Sequence, residues 1–299
     1  MATGKEIKRR IKSIKNTSKI TKAMELISTV KMKKAQDLAL EKKEYIKGIL
    51  EVLMNLNGNF SDSKYFKKNN NSSKTLGVIV TSNKGLCGGY NINVMKKVNE
   101  YIKSNGNNID FVTLGKRGSQ FIARTGNKIT ADFSASFSDN IDLRFSKSVS
   151  RMITEKLTSG EYGNVVVFYN YYVNTIRQIP VSREFLPLTD TSIEKYFGMV
   201  LGYDYKYTAD DRRLNYTVEP TVDELLQEVM PMLIDSMFYD ILIESKASEH
   251  SSRMIAMKNA KDNANKYASK LTLQYNKARQ AAITKEVSEI VSGVESMKD

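Results

Sequence analysis

Three short stretches of this sequence hold residue types that do chemistry in other proteins. Gly85-Leu86-Cys87-Gly88-Gly89 follows an apolar run and precedes a helical stretch, the position where α/β proteins hold phosphate. It lacks the Lys-Ser/Thr pair of a P-loop and does not match G-x-G-x-x-G. A tight turn needing left-handed backbone describes it better, with Cys87 a small buried apolar residue. Cys87 as a nucleophile would need a nearby histidine, and the only one, His250, lies far along the chain. Glu249 and Arg253 beside it are spaced i,i+4, as a helix pair would be. His250 reads as a helix-surface or seam residue, since catalysis would need partners that it lacks. Asp210-Asp211 stands in a loop-like stretch and reads as solvated. One cysteine excludes an internal disulfide and a cysteine metal cluster. No catalytic residues, cofactor or metal are expected.

The elements that would position such groups are dominated by one run, Pro220 to Gly293. Between Met232 and Ser292 it contains neither Gly nor Pro, the two strongest helix punctuators. Thr221 and Glu224 have the spacing of a capping box. A helix of this length would extend ~105 Å, so it needs a partner. Alternating steps of four and three from Val222 pass through Leu226, Val229, Leu233, Ile243, Ala247, Met254, Met257, Ala264, Ala268, Leu271 and Tyr275, the pattern of a coiled-coil seam. Ser236, Asp240, His250, Lys261 and Lys285 interrupt it. Alanines let backbones approach closely but bury little area, at ~25 cal/mol per Å². The rod should therefore lean on other surfaces as well.

Residues 3–57 read as a second long helix, opened by a Thr3/Glu6 capping pair. Its apolar stripe runs Ile7, Ile11, Ile14, Ile20, Met24, Ile27, Val30, Ala35, Leu38, Tyr45, Ile49, Leu53, Leu56, and lysines and arginines crowd the other face. A long, narrow stripe suits a partner helix better than a lipid surface. Between the helices the period changes. Leu76–Ser82, Ile109–Gly115, Asn164–Tyr172 and Asn174–Arg183 read as strands, the last two as a hairpin, with helices to about Lys103, around Arg117–Arg124 and over Leu143–Leu157. Strands alternating with helices indicate an α/β layer with parallel pairing. Residues 57–74 are polar and Asn-rich, residues 187–215 weakly periodic, and Tyr216–Glu219 a further strand. The expected organisation is thus an N-terminal coiled-coil helix over 1–57, a central α/β domain over 58–219 and a C-terminal coiled-coil helix over 220–299. The terminal helices should run antiparallel, and at ~80 Å against ~105 Å the second should protrude with its last residues unpaired.

The 299 residues carry a formal charge of +13, which calls for an acidic partner or for solvated lysine-rich helices. No apolar run reaches the ~18 residues of a membrane span, and the N-terminus has no signal-peptide core. Two rival readings are a basic coiled coil that binds nucleic acid or acts as a scaffold and an α/β nucleotide enzyme whose glycine loop holds phosphate.

The N-terminal IKRRIKSIKNTSKITKAMELISTVKMKKAQ, the central TSNKGLCGGYN, and the C-terminal SEHSSRMIAMKNAKDNA and LQYNKARQAAITKEVSEIVSG resemble the gamma-subunit family of F-type ATP synthases. The resemblance implies an α/β fold in which a long antiparallel coiled coil of the terminal helices carries a central Rossmann-like domain as its foot. It implies a rotor that couples ion flow through the membrane c-ring to the catalytic cycle of a ring of alpha and beta subunits, with epsilon at the foot. It implies no nucleic acid, no catalysis by the chain itself, and attachment only through partners to the cytoplasmic side of a bacterial membrane. By resemblance, Met24 matches a position near an acidic lever segment of beta. Arg279, Gln280 and Thr284 match positions where the shaft meets a loop of beta, and their donors and acceptors suit a transient latch. Ile283, Val287, Ile290, Val291 and Val294 would form an apical bearing.

Overall fold

The computed structural model describes residues 4–55, 64–66, 72–201, 219 and 221–295. In chain order the elements are α1 (Gly4–Glu41), α2 (Lys43–Asn55), β1 (Thr75–Val80), α3 (Tyr90–Asn105), β2 (Ile109–Leu114), α4 (Lys116–Thr125), β3 (Ile129–Asp132), α5 (Leu143–Thr158), β4 (Asn164–Tyr172), β5 (Gln178–Leu186), α6 (Asp190–Leu201) and α7 (Val222–Glu295). They form two compact units, Met1–Ser28 with Arg253–Asp299, and Thr29–Ser252. As elements, α2 ends at Asn55 and α7 starts at Val222. The compact units divide inside α1 and α7 instead.

In the larger unit the sheet order is β3-β2-β1-β4-β5. The first four strands are parallel, and β5 returns antiparallel beside β4. Both faces are covered, so the strands are near-continuous apolar runs. Leu76, Val78, Val80, Val112, Leu114, Val165 and Val167 face α2, α5, α6 and the first half of α7. Ile79, Ile109, Phe111, Val166 and Phe168 face Val94 and Val98 of α3 and Ile122 of α4. Gly115 marks the closest backbone approach. Its φ is 101°, and a Cβ there would lie 2.1 Å from the Thr81 carbonyl oxygen, so only glycine fits between β2 and α4.

Four local expectations change. The helix read over 3–57 breaks at Lys42, which falls on the same face as Ala35 and Ile49, seven residues away on either side. An ammonium on that apolar face needs partners. Its Nζ donates to Asp240 Oδ1 at 2.5 Å and lies 4.2 Å from the Tyr239 ring centroid. Beyond the break, α2 lays Ile46, Ile49, Leu50 and Leu53 on the core, each worth roughly 1.5–3 kcal/mol. Strand β5 starts at Gln178 rather than Asn174, because the Asn174 carboxamide oxygen accepts from the amides of Ile176 and Arg177 and closes a turn. Strand β3 and helix α6 were not anticipated: β3 has four residues and no alternation, and α6 lies in the weakly periodic stretch. The strand expected at Tyr216–Glu219 falls, apart from Glu219, outside the described residues, as do Thr3, Leu56 and Asp210-Asp211. At the start of α7 half of the capping box forms: the Glu224 amide donates to Thr221 Oγ1 at 3.3 Å.

In the smaller unit α1 and α7 pair antiparallel. Ser18 Oγ donates to Asn265 Oδ1 at 2.6 Å, and Lys261 Nζ to Glu25 Oε2 at 2.7 Å, so numbers rise on one helix as they fall on the other. On α7 the expected seam is buried at Met257, Ala268 and Leu271. On α1 the stripe is corrected. Ile20 and Ile27 point outward, 62% and 55% exposed, while Thr21 and Ser28 are buried. The seam steps through Ile14, Ser18, Thr21, Glu25 and Ser28, one position away from the large apolar residues. Thr21 and Ser28 return their hydroxyls to their own helix, donating to the carbonyls of Thr17 and Met24. Hydroxyls satisfied in this way can be buried without a partner on the other helix.

Candidate partner-contact face and the ends of the sheet

The residues singled out by resemblance all belong to the smaller unit, on two separate segments. From Asn276 to Gly293 every residue of α7 is exposed. At 100° per residue, Arg279, Gln280, Ile283, Thr284, Val287, Ile290 and Val291 fall on one face about 140° wide. Position 294 shares that phase, although the Val294 side chain lies outside the described residues. The polar three stand at the start of the face, and the apolar residues continue it. The Lys285–Glu289 ion pair, 3.6 Å, occupies the opposite side. Thr284 Oγ1 donates to the Gln280 carbonyl at 3.0 Å, so its hydroxyl still has acceptor capacity for a partner. Arg279 makes no ion pair among the described residues, which leaves its guanidinium fork available.

Met24 is not part of that face. It is half-buried on α1, beside Glu25, whose partner is Lys261. Lys261 and Arg279 are 18 positions apart on α7, about 27 Å along the axis. Of the lysines flanking Met24, Lys19 and Lys22 are exposed. Lys31, in the larger unit, instead donates to Asp139 at 2.5 Å.

The glycine loop is a turn. Leu86 and Gly88 take left-handed φ values of 61° and 57°. Cys87 is buried, and its sulfur accepts from Asn91 Nδ2 at 3.2 Å. Open α/β sheets receive ligands at the carboxyl ends of their strands where the order reverses, here between β1 and β4. Helix α7 occupies that crevice. The hydroxyls of Tyr90 and Ser245 lie 2.6 Å apart, Asn170 Nδ2 donates to the Tyr90 carbonyl at 2.9 Å, and Ser248 Oγ donates to the Asn170 carbonyl at 2.9 Å. A phosphate role for the loop therefore finds its crevice already filled.

His250 is buried on the other side of α7, with Nε2 4.0 Å from Asp139 Oδ1. Burial opposes ionisation of Asp139, but the Lys31 hydrogen bond and the charges of Lys246 and Lys31 hold its carboxyl at about 2. Sequence reasoning missed a second buried cluster, because its members are scattered over several elements. Glu244 of α7 lies against Tyr169 of β4 and Arg183 of β5. Burial pushes its carboxyl up to about 7, against the charge of Arg183 and helped by that of Asp240. Tyr169 and Arg183 also line a cleft of about 590 Å³ between β5 and α6. No group of three or more His, Cys, Asp or Glu able to hold a metal occurs among the described residues, and no described helix is long and apolar enough to cross a membrane.

The fold is similar to that of a chain from the Euglena gracilis mitochondrial ATP synthase rotor. The TM-score is 0.61 at 16% identity, covering 94% of this chain and 98% of that one. A chain from the Tetrahymena thermophila mitochondrial ATP synthase central stalk and c-ring gives 0.55 at 23% identity, covering 81% and 99%. Sequence similarity goes further. The ATP synthase gamma chain of Nitrosomonas europaea is 36% identical over 302 residues, covering 98% of this chain and 99% of its own length. That of Akkermansia muciniphila is 35% identical over 298 residues, covering both in full. The family model described as ATP synthase matches residues 3–297. The glycine turn, the exposed face of α7 and the antiparallel helix pair thus stand in a chain that belongs to the ATP synthase gamma-chain family.

Proposed function

We propose that this chain is the central rotor shaft of a bacterial F-type ATP synthase and does no bond-making of its own. The observation that carries the reading is the α7 face from Arg279 to Val291, exposed where the seam has ended. A shaft inside a ring of similar neighbours must touch each in turn and hold none. A face that begins with an unpaired guanidinium and continues with a narrow row of valines and isoleucines suits brief, sliding contacts. One charge-assisted hydrogen bond of ~1.5–3 kcal/mol biases a state and still breaks on rotation. Turning the shaft shifts the conformational populations of the catalytic subunits, which requires that it interact differently with their different states.

The partners follow from that role. Alpha and beta subunits surround the helix pair, with beta meeting Met24 and the latch residues Arg279, Gln280 and Thr284. Ile283, Val287, Ile290, Val291 and Val294 run in the apical bearing. Residues 58–219 meet epsilon and the c-ring. The net charge of +13 then serves acidic protein surfaces rather than nucleic acid. The complex, and this chain with it, lies at the cytoplasmic side of the cell membrane, held there through its partners. The test is complementation of an ATP synthase that lacks its gamma subunit. Purified alone, the chain should show no ATP turnover; added back, it should restore ATP-driven ion pumping. Stoichiometric hydrolysis by the isolated chain, or failure to assemble with the ring, would reject the reading.

A further inference from the structure

We propose that residues 245–252 of α7 form a torque joint, in which directional polar contacts, rather than apolar packing, fix the angle of the helix about its own axis. The inference rests on the rotor reading. Apolar contact is non-directional and resists turning only through the shape of the packed side chains, whereas a hydrogen bond fixes an angle directly. Over these two turns α7 is held differently. Towards the sheet, Tyr90 meets Ser245, and Ser248 donates to the Asn170 carbonyl. In the β4–β5 turn, Ser251 Oγ donates to the Thr175 carbonyl at 2.5 Å, and Ser252 Oγ donates to Gln178 Oε1 at 2.9 Å. On the other side Lys246 is buried, 3.1 Å from Glu249 Oε2, 3.7 Å from Asp139 Oδ1 and 4.1 Å from the Phe137 ring centroid. Asp139 in turn takes Lys31 of α1. Tyr90 and Asn170 are themselves tied together, so the sheet side of the joint is one connected set.

The geometry makes the joint stiff. Turning α7 by about 30° moves each Cα by about 1.2 Å around a cylinder of radius ~2.3 Å. That carries the Ser248 bond from 2.9 Å past the distance at which a hydrogen bond survives. Contacts on opposite sides of the helix would be strained together. Torque carried by α7 therefore enters the sheet here, at the crevice that a ligand-binding relative of this architecture would keep open.

The test uses the assembled complex carrying Tyr90→Phe with Ser248→Ala, which removes two hydroxyls and almost no volume. The control is Leu157→Ala, a cavity in the packing of the last turn of α5, at the opposite end of that helix from the Phe145 ring that meets Phe137. Three readouts are taken: ATP hydrolysis, ions pumped per ATP, and amide exchange across 241–252. The joint predicts retained hydrolysis with fewer ions pumped per ATP, and exchange faster by about fivefold for each bond lost. Tyr90→Phe with Ser248→Thr, which restores one hydroxyl, should recover part of both effects. The control should lower thermal stability and leave pumping per ATP unchanged. Wild-type pumping per ATP in the double variant, or an equal loss in the control, overturns the joint. If the wild-type chain supports no pumping, the rotor reading fails instead, and unchanged exchange at 245–252 in the double variant rejects the bonds independently.

Discussion

Replacing Glu244 by glutamine should stabilise the chain above neutral pH, a sign opposite to the usual loss of a buried charge. Glu244 stands in the larger unit with its carboxyl raised from 4.5 to about 7, chiefly by burial. A raised carboxyl means that the folded state holds its proton more tightly than the unfolded one. The group's stabilising contribution is full below about pH 4.5, shrinks as pH rises, and is gone above about 7. A shift of this size corresponds to about 3 kcal/mol between those limits. Glutamine keeps the shape and never ionises. Near pH 4.5 Glu244→Gln should therefore match wild type, and at pH 8 it should be more stable by up to about 3 kcal/mol. Urea unfolding of the two proteins side by side at several pH values measures the difference, and groups common to both cancel. A carbon-detected titration of the Glu244 carboxyl should have its midpoint near 7. The opposite result would refute the reasoning: if the variant loses stability at pH 8, Glu244 is ionised and paired with Arg183, where removing one partner costs about 3–5 kcal/mol.

Met24→Lys should impair coupling between hydrolysis and pumping more than assembly, because it adds a charge at a half-buried site of α1; equal losses in both assays would make Met24 a seam residue only. Arg279→Ala with Gln280→Ala should slow steady-state ATP turnover of an intact complex by about tenfold or more, the equivalent of one charged hydrogen bond at the lower end of its range, and wild-type turnover and torque would reduce the tip to a passive bearing. Cross-linking of the assembled complex should join epsilon and c to residues within 58–219; cross-links from the last turns of α7 to c would reverse the proposed orientation.

What could be read from the sequence follows the range of the interactions concerned. The α7 run and the apolar strands are set by local pattern: a long stretch free of Gly and Pro, and short β-branched runs such as Val165–Val167 buried on both faces. The glycine turn was legible because only glycine and a few other residues accept its backbone angles. The α1 seam was not. In the smaller unit its buried positions are Thr21 and Ser28, whose hydroxyls close on their own helix, while Ile20 and Ile27 beside them face outward. Hydrophobicity alone chose the wrong residues between Ile20 and Val30, although Ile7, Ile11, Ile14 and Met24 are half-buried as expected. The partner of the Lys42 ammonium is Asp240, 198 positions away, and the raised carboxyl of Glu244 depends on its burial beside β4 and β5. Such pairings exist only once the chain has folded. The same holds for the contact of Tyr90 with Ser245, 155 positions apart, which no local pattern announces.

The outward-facing side chains also bear on supply. Ile20, Leu26 and Ile27 of α1, and Ile283, Val287, Ile290 and Val291 of α7, lie open in the free chain. Apolar groups gathered on a free surface invite self-association, and the long helices offer them in rows. A chain made in excess of whatever covers these faces would self-associate through them. Keeping the free chain scarce, or holding it beside a chaperone until those faces are covered, is thus a requirement written into two helix surfaces.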